Sequence, residues 1–184
     1  ARNVLFVPLL GRIGKVAIEL PPNRIVSQPA EAFGGKYLLL HAPALVSNAM
    51  TVEILKEEES IKTVLELVDR VNVAVVGIGN PLHESSTLRL TGYYSDQDIT
   101  QFQKNKAVGD TCMQVYDENG RTEPFDANRR VIGIKLDELK KIDKVIALAG
   151  GDYKVEAIKA GIKGKLFNIL ITNYSNALAL LGEA

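Results

Sequence analysis

Five short runs of consecutive apolar residues punctuate the chain: Asn3 to Leu9, Lys36 to Ala42, Val71 to Ile78, Lys144 to Ala149 and Phe167 to Thr172. Their apolar positions are adjacent rather than alternating, which is what a strand buried on both faces requires. Between the runs the spacing changes to three and four. Asn23 to Phe33 offers Ile25, Val26, Ala30 and Phe33, with Pro29 expected to kink or restart the helix because it lacks a backbone donor. Glu58 to Val71 places Ile61, Val64, Leu65 and Val68 on one face and Glu59, Lys62, Glu66 and Asp69 off it. Ser95, Asp96 and Asp98 are helix-starting residues ahead of Ile99 and Phe102. Asp152 to Ile162 would turn Val155, Ala157, Ile158 and Ile162 inward, and Asn173 to Leu181 closes the series. Strands alternating with helices predict an α/β fold, a Rossmann-like and mostly parallel sheet with helices on both sides.

The stretch from Val108 to Ile134 departs from this rhythm. Alternation at Cys112, Gln114 and Tyr116, then Asp117-Glu118-Asn119-Gly120, predicts a strand, a tight polar turn and a return strand ending in Val131-Ile132-Gly133-Ile134. With no internal repeat and no linker-like segment, residues 1–184 read as one compact domain.

Composition narrows the function. Lys plus Arg number 22 and Asp plus Glu number 22, so the chain lacks the basic surplus that a DNA reader uses to neutralise phosphates. A single cysteine, Cys112, excludes an intrachain disulfide and a cysteine-rich zinc site, and reads as a small buried hydrophobe. No run approaches the roughly 18 apolar residues of a membrane helix, and no leader pattern opens the chain, which predicts a soluble, cytoplasmic protein. His41 and His83 are the only histidines. His41 ends an apolar run and reads as a hydrogen-bonded structural residue, and His83 lies in a polar loop. No metal site and no nucleophilic triad is expected from this set.

Ligands of α/β sheets sit where strand carboxyl ends meet the amides of the next helix. Three glycine turns qualify: Leu10-Gly11-Arg12-Ile13-Gly14, Gly77-Ile78-Gly79-Asn80-Pro81, and Ala149-Gly150-Gly151-Asp152. The second fails the GxGxxG spacing because Leu82 stands in the third glycine position, so no nicotinamide cofactor, and no other cofactor, is expected. In the third, Gly150 and Gly151 let a ligand approach the backbone, and Lys154 adds positive charge beside free amides, a combination suited to phosphate. Spacing alone does not separate that reading from a strand-to-helix turn with a solvated lysine.

The segments ARNVLFVPLLG, PPNRIVSQPAEAFGGKYLLLHAPALV, IKTVLELVDRVNVAVVGIGNP, SSTLRLTGYYSDQDI, AVGDTCMQVYDENG and RRVIGIKLDELKKIDKVIALAGGDYKVEAIKAGIKGKLFNILIT occur in that order. Together they resemble the sugar-binding domain of the SorC family of bacterial transcriptional regulators. The resemblance implies a fold related to glucosamine-6-phosphate deaminase, ribose-5-phosphate isomerase and coenzyme A transferases. It also implies that an opening strand, a phosphate loop and a DNA-binding helix-turn-helix belong upstream of Ala1. Carried over by position, Lys154 would reach a ligand phosphate and Asp110 the sugar hydroxyls, Asn80 would line the same cleft and Arg89 would lie near it; Gly11, Gly79, Gly150 and Gly151 are the ligand-binding candidates that the glycine turns themselves supply. Two departures stand out. Leu10 and Pro21 replace polar residues of members resembling the glycolytic gene regulator, which puts a second phosphate site in doubt, and Asn173 replaces the aspartate of the LITD motif.

The function implied is effector binding, not catalysis: a phosphorylated sugar would modulate oligomerisation and operator binding, the operator being reached only through the upstream domain. The alternatives are a sugar-phosphate isomerase or deaminase on the same fold, and a ligand-free module that only holds an oligomer together. Fold alone does not separate them.

Overall fold

The computed structural model describes residues 4–13, 24–90 and 92–182; Gly14 and Pro21, and the residues Asn3 and Asn23 that open two expected elements, lie outside them. The chain forms two compact units, one holding the described residues up to Val71 with Arg130–Ile134, the other running over Asn72–Arg129 and from Lys135 onward.

In the first unit, β1 (Leu5–Phe6) pairs in parallel with β2 (Lys36–Tyr37). Helix α1 (Arg24–Phe33) lies between them and runs through Pro29 without interruption. The helix does not restart there: Val26 and Ala30, four residues apart, are both buried, and this one-face anchor spans the missing backbone donor. Asn48 caps α2 (Ala49–Lys56) by accepting the Thr51 amide at 2.9 Å. Helix α3 (Glu59–Val68) buries Ile61, Val64 and Val68 as its spacing predicts, and with Leu40, Ala42, Val52 and Ile132 its Ile61 and Val64 form the core of this unit. His41 is exposed beyond the end of β2, so it is not the buried strand-end residue anticipated.

The second unit begins with β3 (Val73–Gly77), followed by α4 (Thr87–Leu90) and α5 (Asp96–Lys104). Ser95 and Asp98 form a reciprocal capping box at the start of α5. An antiparallel hairpin, β4 (Ala107–Thr111) and β5 (Gln114–Asp117), comes next, then α6 (Leu136–Leu139), β6 (Lys144–Ala149), α7 (Val155–Lys163), β7 (Ile169–Thr172) and α8 (Tyr174–Leu181). The parallel sheet has the order β3-β6-β7.

Three expectations change here. The hairpin turns at Cys112-Met113, both at positive φ (48° and 59°), rather than at Asp117–Gly120. Two consecutive positive φ values match the strand twist of a hairpin, but neither residue is of the type that advertises it. Asp117–Gly120 does form a tight turn, yet the chain then enters a 3₁₀ turn over Asp126–Arg130, and Val131 and Gly133 bridge to Leu45 and Leu10 in the first unit. Ile162 is 50% exposed instead of inward, while Ala157 and Ile158 are buried. Finally, the sheet buries one face only. Ala74, Val76, Val145 and Ala147 point into the core, whereas Val73, Val75, Leu148, Ile169 and Ile171 are exposed. The chain steps from β3 to β6 to β7 in one direction, and right-handed crossovers stepping one way lie on the same face.

Candidate functional site

The carboxyl end of β3 leads into Ile78 and Gly79, and Gly79 is joined to Asp110 of β4 by two backbone hydrogen bonds, Gly79 N to Asp110 O at 2.8 Å and Asp110 N to Gly79 O at 3.0 Å. A Cβ on Gly79 would lie 2.3 Å from Asp110 Oδ1. Glycine is therefore what lets the Asp110 side chain lie over the turn. Asp110 Oδ1 is sealed from water with no hydrogen-bond partner. Loss of solvent raises this carboxyl, the Lys154 ammonium offsets part of the rise, and the group stands at about 7. Burial also pushes the neighbouring Cys112 thiol up to about 12, which leaves it protonated and unreactive.

Lys154 arrives from the end of β6. Gly150 is exposed, Gly151 adopts φ 106° and ψ 129°, and a 3₁₀ turn over Asp152–Lys154 leads into α7. The start of α8 pins this turn. Asn173 Oδ1 accepts the Gly151 amide at 3.3 Å, Asn176 donates to Gly151 O at 3.2 Å, and Ser175 donates to Asp152 Oδ1 at 2.7 Å. Asparagine at 173 thus keeps an acceptor where the SorC pattern has a carboxylate. From the hairpin, the buried Tyr116 hydroxyl donates to Ala157 O on α7 at 3.1 Å, with Gly109 leaving room for its ring.

The two glycine turns are also tied to each other. Asn80 donates to Tyr153 O at 3.1 Å and accepts the Leu82 amide at 3.1 Å, so its side chain is engaged within the scaffold. His83 stacks on Tyr153 with centroids 4.0 Å apart and planes 16° apart. The Lys154 ammonium lies 5.7 Å from the centroid of the same Tyr153 ring. Arg89 is exposed on α4 and donates to Leu82 O at 3.3 Å.

Asp110, Lys154, Gly79, Asn80, Gly150, Gly151 and Arg89 all belong to the second unit. Gly11 belongs to the first, where its amide donates to Ile132 O at 2.9 Å and a Cβ would meet Pro43 O at 2.4 Å. The His83–Tyr153 stack escaped the sequence reading because ring contacts between segments 70 residues apart have no local signature. Among the described residues no three His, Cys, Asp or Glu side chains converge as metal ligands, and no helix is long and apolar enough to cross a membrane. A surface hollow of about 320 Å³ beside Glu118, Glu156, Lys159 and Lys163 contains none of these site residues.

A parallel α/β sheet with a carboxylate, an ammonium and two glycine turns at its carboxyl end defines a small-molecule-binding domain. Residues 1–182 match the family described as "Putative sugar-binding domain", and the chain belongs to that family, the sugar-binding domain of SorC-type transcriptional regulators. It is 34% identical over 148 residues to the "Transcriptional regulator LsrR" of Klebsiella pneumoniae, covering 79% of this chain and 46% of that protein. It is 31% identical over 182 residues to the "Central glycolytic genes regulator" of Bacillus subtilis, covering 99% and 51%. The full-length sorbitol operon regulator SorC of Klebsiella pneumoniae superposes with a TM-score of 0.87 at 25% identity, covering 96% of this chain and 57% of that one. The chain spans about half the length of the curated relatives it matches.

Proposed function

We propose that this chain is the effector-binding part of a bacterial regulator of carbohydrate metabolism and that its effector is a phosphorylated sugar. Lys154 neutralises the phosphate beside the Gly150-Gly151 turn, and Asp110 hydrogen-bonds the sugar hydroxyls. The observation that carries this reading is the pairing, at the carboxyl end of the sheet, of the Asp110 carboxyl laid over the Gly79 turn with the Lys154 charge that acts on it from the Gly150-Gly151 turn. Ligand binding then shifts the population of arrangements that favour oligomerisation and operator binding, through a DNA-binding domain that is not among residues 1–184. Such a protein works in the cytoplasm with its operator.

Calorimetry with glucose 6-phosphate, fructose 6-phosphate and ribose 5-phosphate, each against its free sugar, tests the ligand class. At a hundredfold excess over its Kd the binding phosphate stabilises the fold by about 2.7 kcal/mol. Lys154→Ala removes a charge-assisted contact of roughly 1.5 to 3 kcal/mol from that affinity with little effect on stability. Equal affinity for sugar and sugar phosphate, or an unchanged Lys154→Ala variant, defeats the assignment.

One observation favours the enzyme reading: a carboxyl pushed up to about 7 is tuned for general-base work at neutral pH. Proton NMR of the bound sugar phosphate in deuterated water decides between the two. Carbon-bound proton exchange catalysed by the intact chain and lost in Asp110→Asn would establish an isomerase-type activity, and a silent spectrum supports the regulator.

A further inference from the structure

His83 has no polar contact of its own with Lys154 or Asp110, yet it is the outermost member of a row of contacts that ends on them. Its Nδ1 accepts the Ser85 amide at 3.2 Å, and its own amide donates to Asn80 O at 3.2 Å, so both the ring orientation and the backbone are fixed. With Nδ1 occupied as an acceptor, the neutral ring carries its proton on Nε2. The imidazole face then lies 4.0 Å from the Tyr153 ring. Tyr153 is 41% exposed and stands directly before Lys154, whose ammonium lies 5.7 Å from the ring centroid. A Cβ on Gly151 would come within 2.8 Å of Tyr153 Cε1, so the ring also rests against the turn that carries Gly150 and Gly151. The Asn80 hydrogen bond to Tyr153 O fixes the backbone of this turn but leaves the ring free to rotate. Of the side chains contacting the Tyr153 ring, His83 lies flat against it and Lys154 is the charge it carries.

A lysine has four rotatable bonds and about 2 kcal/mol of rotamer entropy, so a lone Lys154 on an exposed turn would sweep a wide volume. A ring held by a second ring presents a fixed π face, and a cation is attracted to such a face. From this geometry we infer that His83 is a positioning residue for Lys154, acting through the Tyr153 ring to hold the ammonium towards Asp110. The inference deepens the proposed sugar-phosphate site and rests on it for its purpose. The His83–Tyr153 platform is what would pre-set the phosphate-binding charge before ligand arrives, so that less ordering is needed on binding.

The test needs no ligand, which keeps its failure separate from failure of the sugar-phosphate reading. Asp110 reports on where Lys154 stands, because the ammonium lowers its carboxyl from the level burial sets; the other titratable groups it interacts with are Tyr116 and Cys112. The Asp110 side-chain carbon is followed by NMR through a pH titration of the intact, aspartate-labelled chain, assigned by its disappearance in Asp110→Asn. His83→Ala releases Tyr153 and lets Lys154 drift, and the Asp110 midpoint rises by about half a unit or more. His83→Phe, which keeps a flat ring but carries no charge and no Nδ1, restores the wild-type midpoint. Comparing Ala with Phe isolates the effect of a flat ring on the readout. Tyr153→Leu, cutting the row at its second member, raises the midpoint in the same way, and circular dichroism confirms that each variant is folded. If His83→Ala and His83→Phe titrate alike, or if His83→Ala lowers the melting temperature without moving Asp110, His83 is only a loop-stabilising residue and the inference is overturned.

Discussion

Asp110 is the residue on which structure and chemistry press hardest. A carboxylate with one oxygen sealed from water and unpartnered disfavours its own charge, and the nearby Lys154 offsets this only in part, leaving the group at about 7. The folded state therefore binds a proton that the unfolded chain releases near pH 4, and linkage gives the sign: stability falls as pH rises from about 4 to 7 and stays reduced above that window. Asp110→Asn removes the titration and nearly preserves the shape. The variant and the wild type should have similar stability near pH 4, and the variant should be more stable at pH 8, on the order of 2 to 4 kcal/mol. Urea denaturation at the two pH values measures this, and a variant that is equally destabilised at both would show that Asp110 is well solvated. The same carboxyl sits against Gly79 in a way that single-residue reading could not anticipate. The sequence reading placed Gly79 among the residues lining the site, whereas the space it opens is filled by Asp110 Oδ1.

At the level of elements, Asp117 closes the turn that follows β5. Its Oδ1 accepts the amides of Asn119 and Arg121, each at 2.9 Å, while Oδ2 accepts Arg121 Nε at 2.8 Å and pairs with Arg121 Nη2 at 2.7 Å. Burial alone would raise this carboxyl, but the Arg121 and Asn119 hydrogen bonds outweigh it and hold it below its ordinary value. A lowered carboxyl contributes stability above the unfolded value near 4 that disappears as pH falls through the folded one. Asp117→Ala should cost about 1 to 3 kcal/mol at pH 7 and progressively less below pH 4, read from thermal melts across that range. The turn at Asp117–Gly120 was legible because aspartate, asparagine and glycine carry turn chemistry in their side chains and φ preferences. Helix α5 was legible for the same reason, since Ser95 and Asp98 cap it locally. The Cys112-Met113 turn was not, because β4 and β5 impose it through their pairing and neither residue prefers positive φ. The site divides along the same line. Lys154 and its two glycines could be found from a strand end and a turn, but the bonds from Asn173, Ser175 and Asn176 that fix the turn, and the ring of His83, come from segments that meet only after folding.

For the molecule as a whole, the apolar runs located the five parallel strands found among the described residues, but they did not say which faces would be covered. Pairing puts Val75, Ile146 and Ile169 in one row across the three-stranded sheet and Gly77, Leu148 and Ile171 in the next. Both rows lie on the face that carries the exposed Val75, Leu148, Ile169 and Ile171. An apolar run cannot distinguish a strand buried twice from one whose second face is apolar and open, because residue type alone records no neighbour. Two isoleucines in the second unit separate these cases. Ile158 on α7 is 0% exposed, and its truncation to alanine leaves a cavity costing about 2 to 5 kcal/mol. Ile171 on β7 is 57% exposed, so the same truncation removes side-chain atoms that are already largely in water and should cost under about 1 kcal/mol. Ile171→Lys should be tolerated for the same reason, since its ammonium remains solvated and its stem covers the neighbouring Leu148. Chemical denaturation of the intact chain bearing each substitution makes the comparison, with m-values checking that cooperativity is unchanged. A loss of more than about 3 kcal/mol in Ile171→Lys would mean that the outer face of the sheet is covered in solution, since a lysine is that costly only where its charge leaves water.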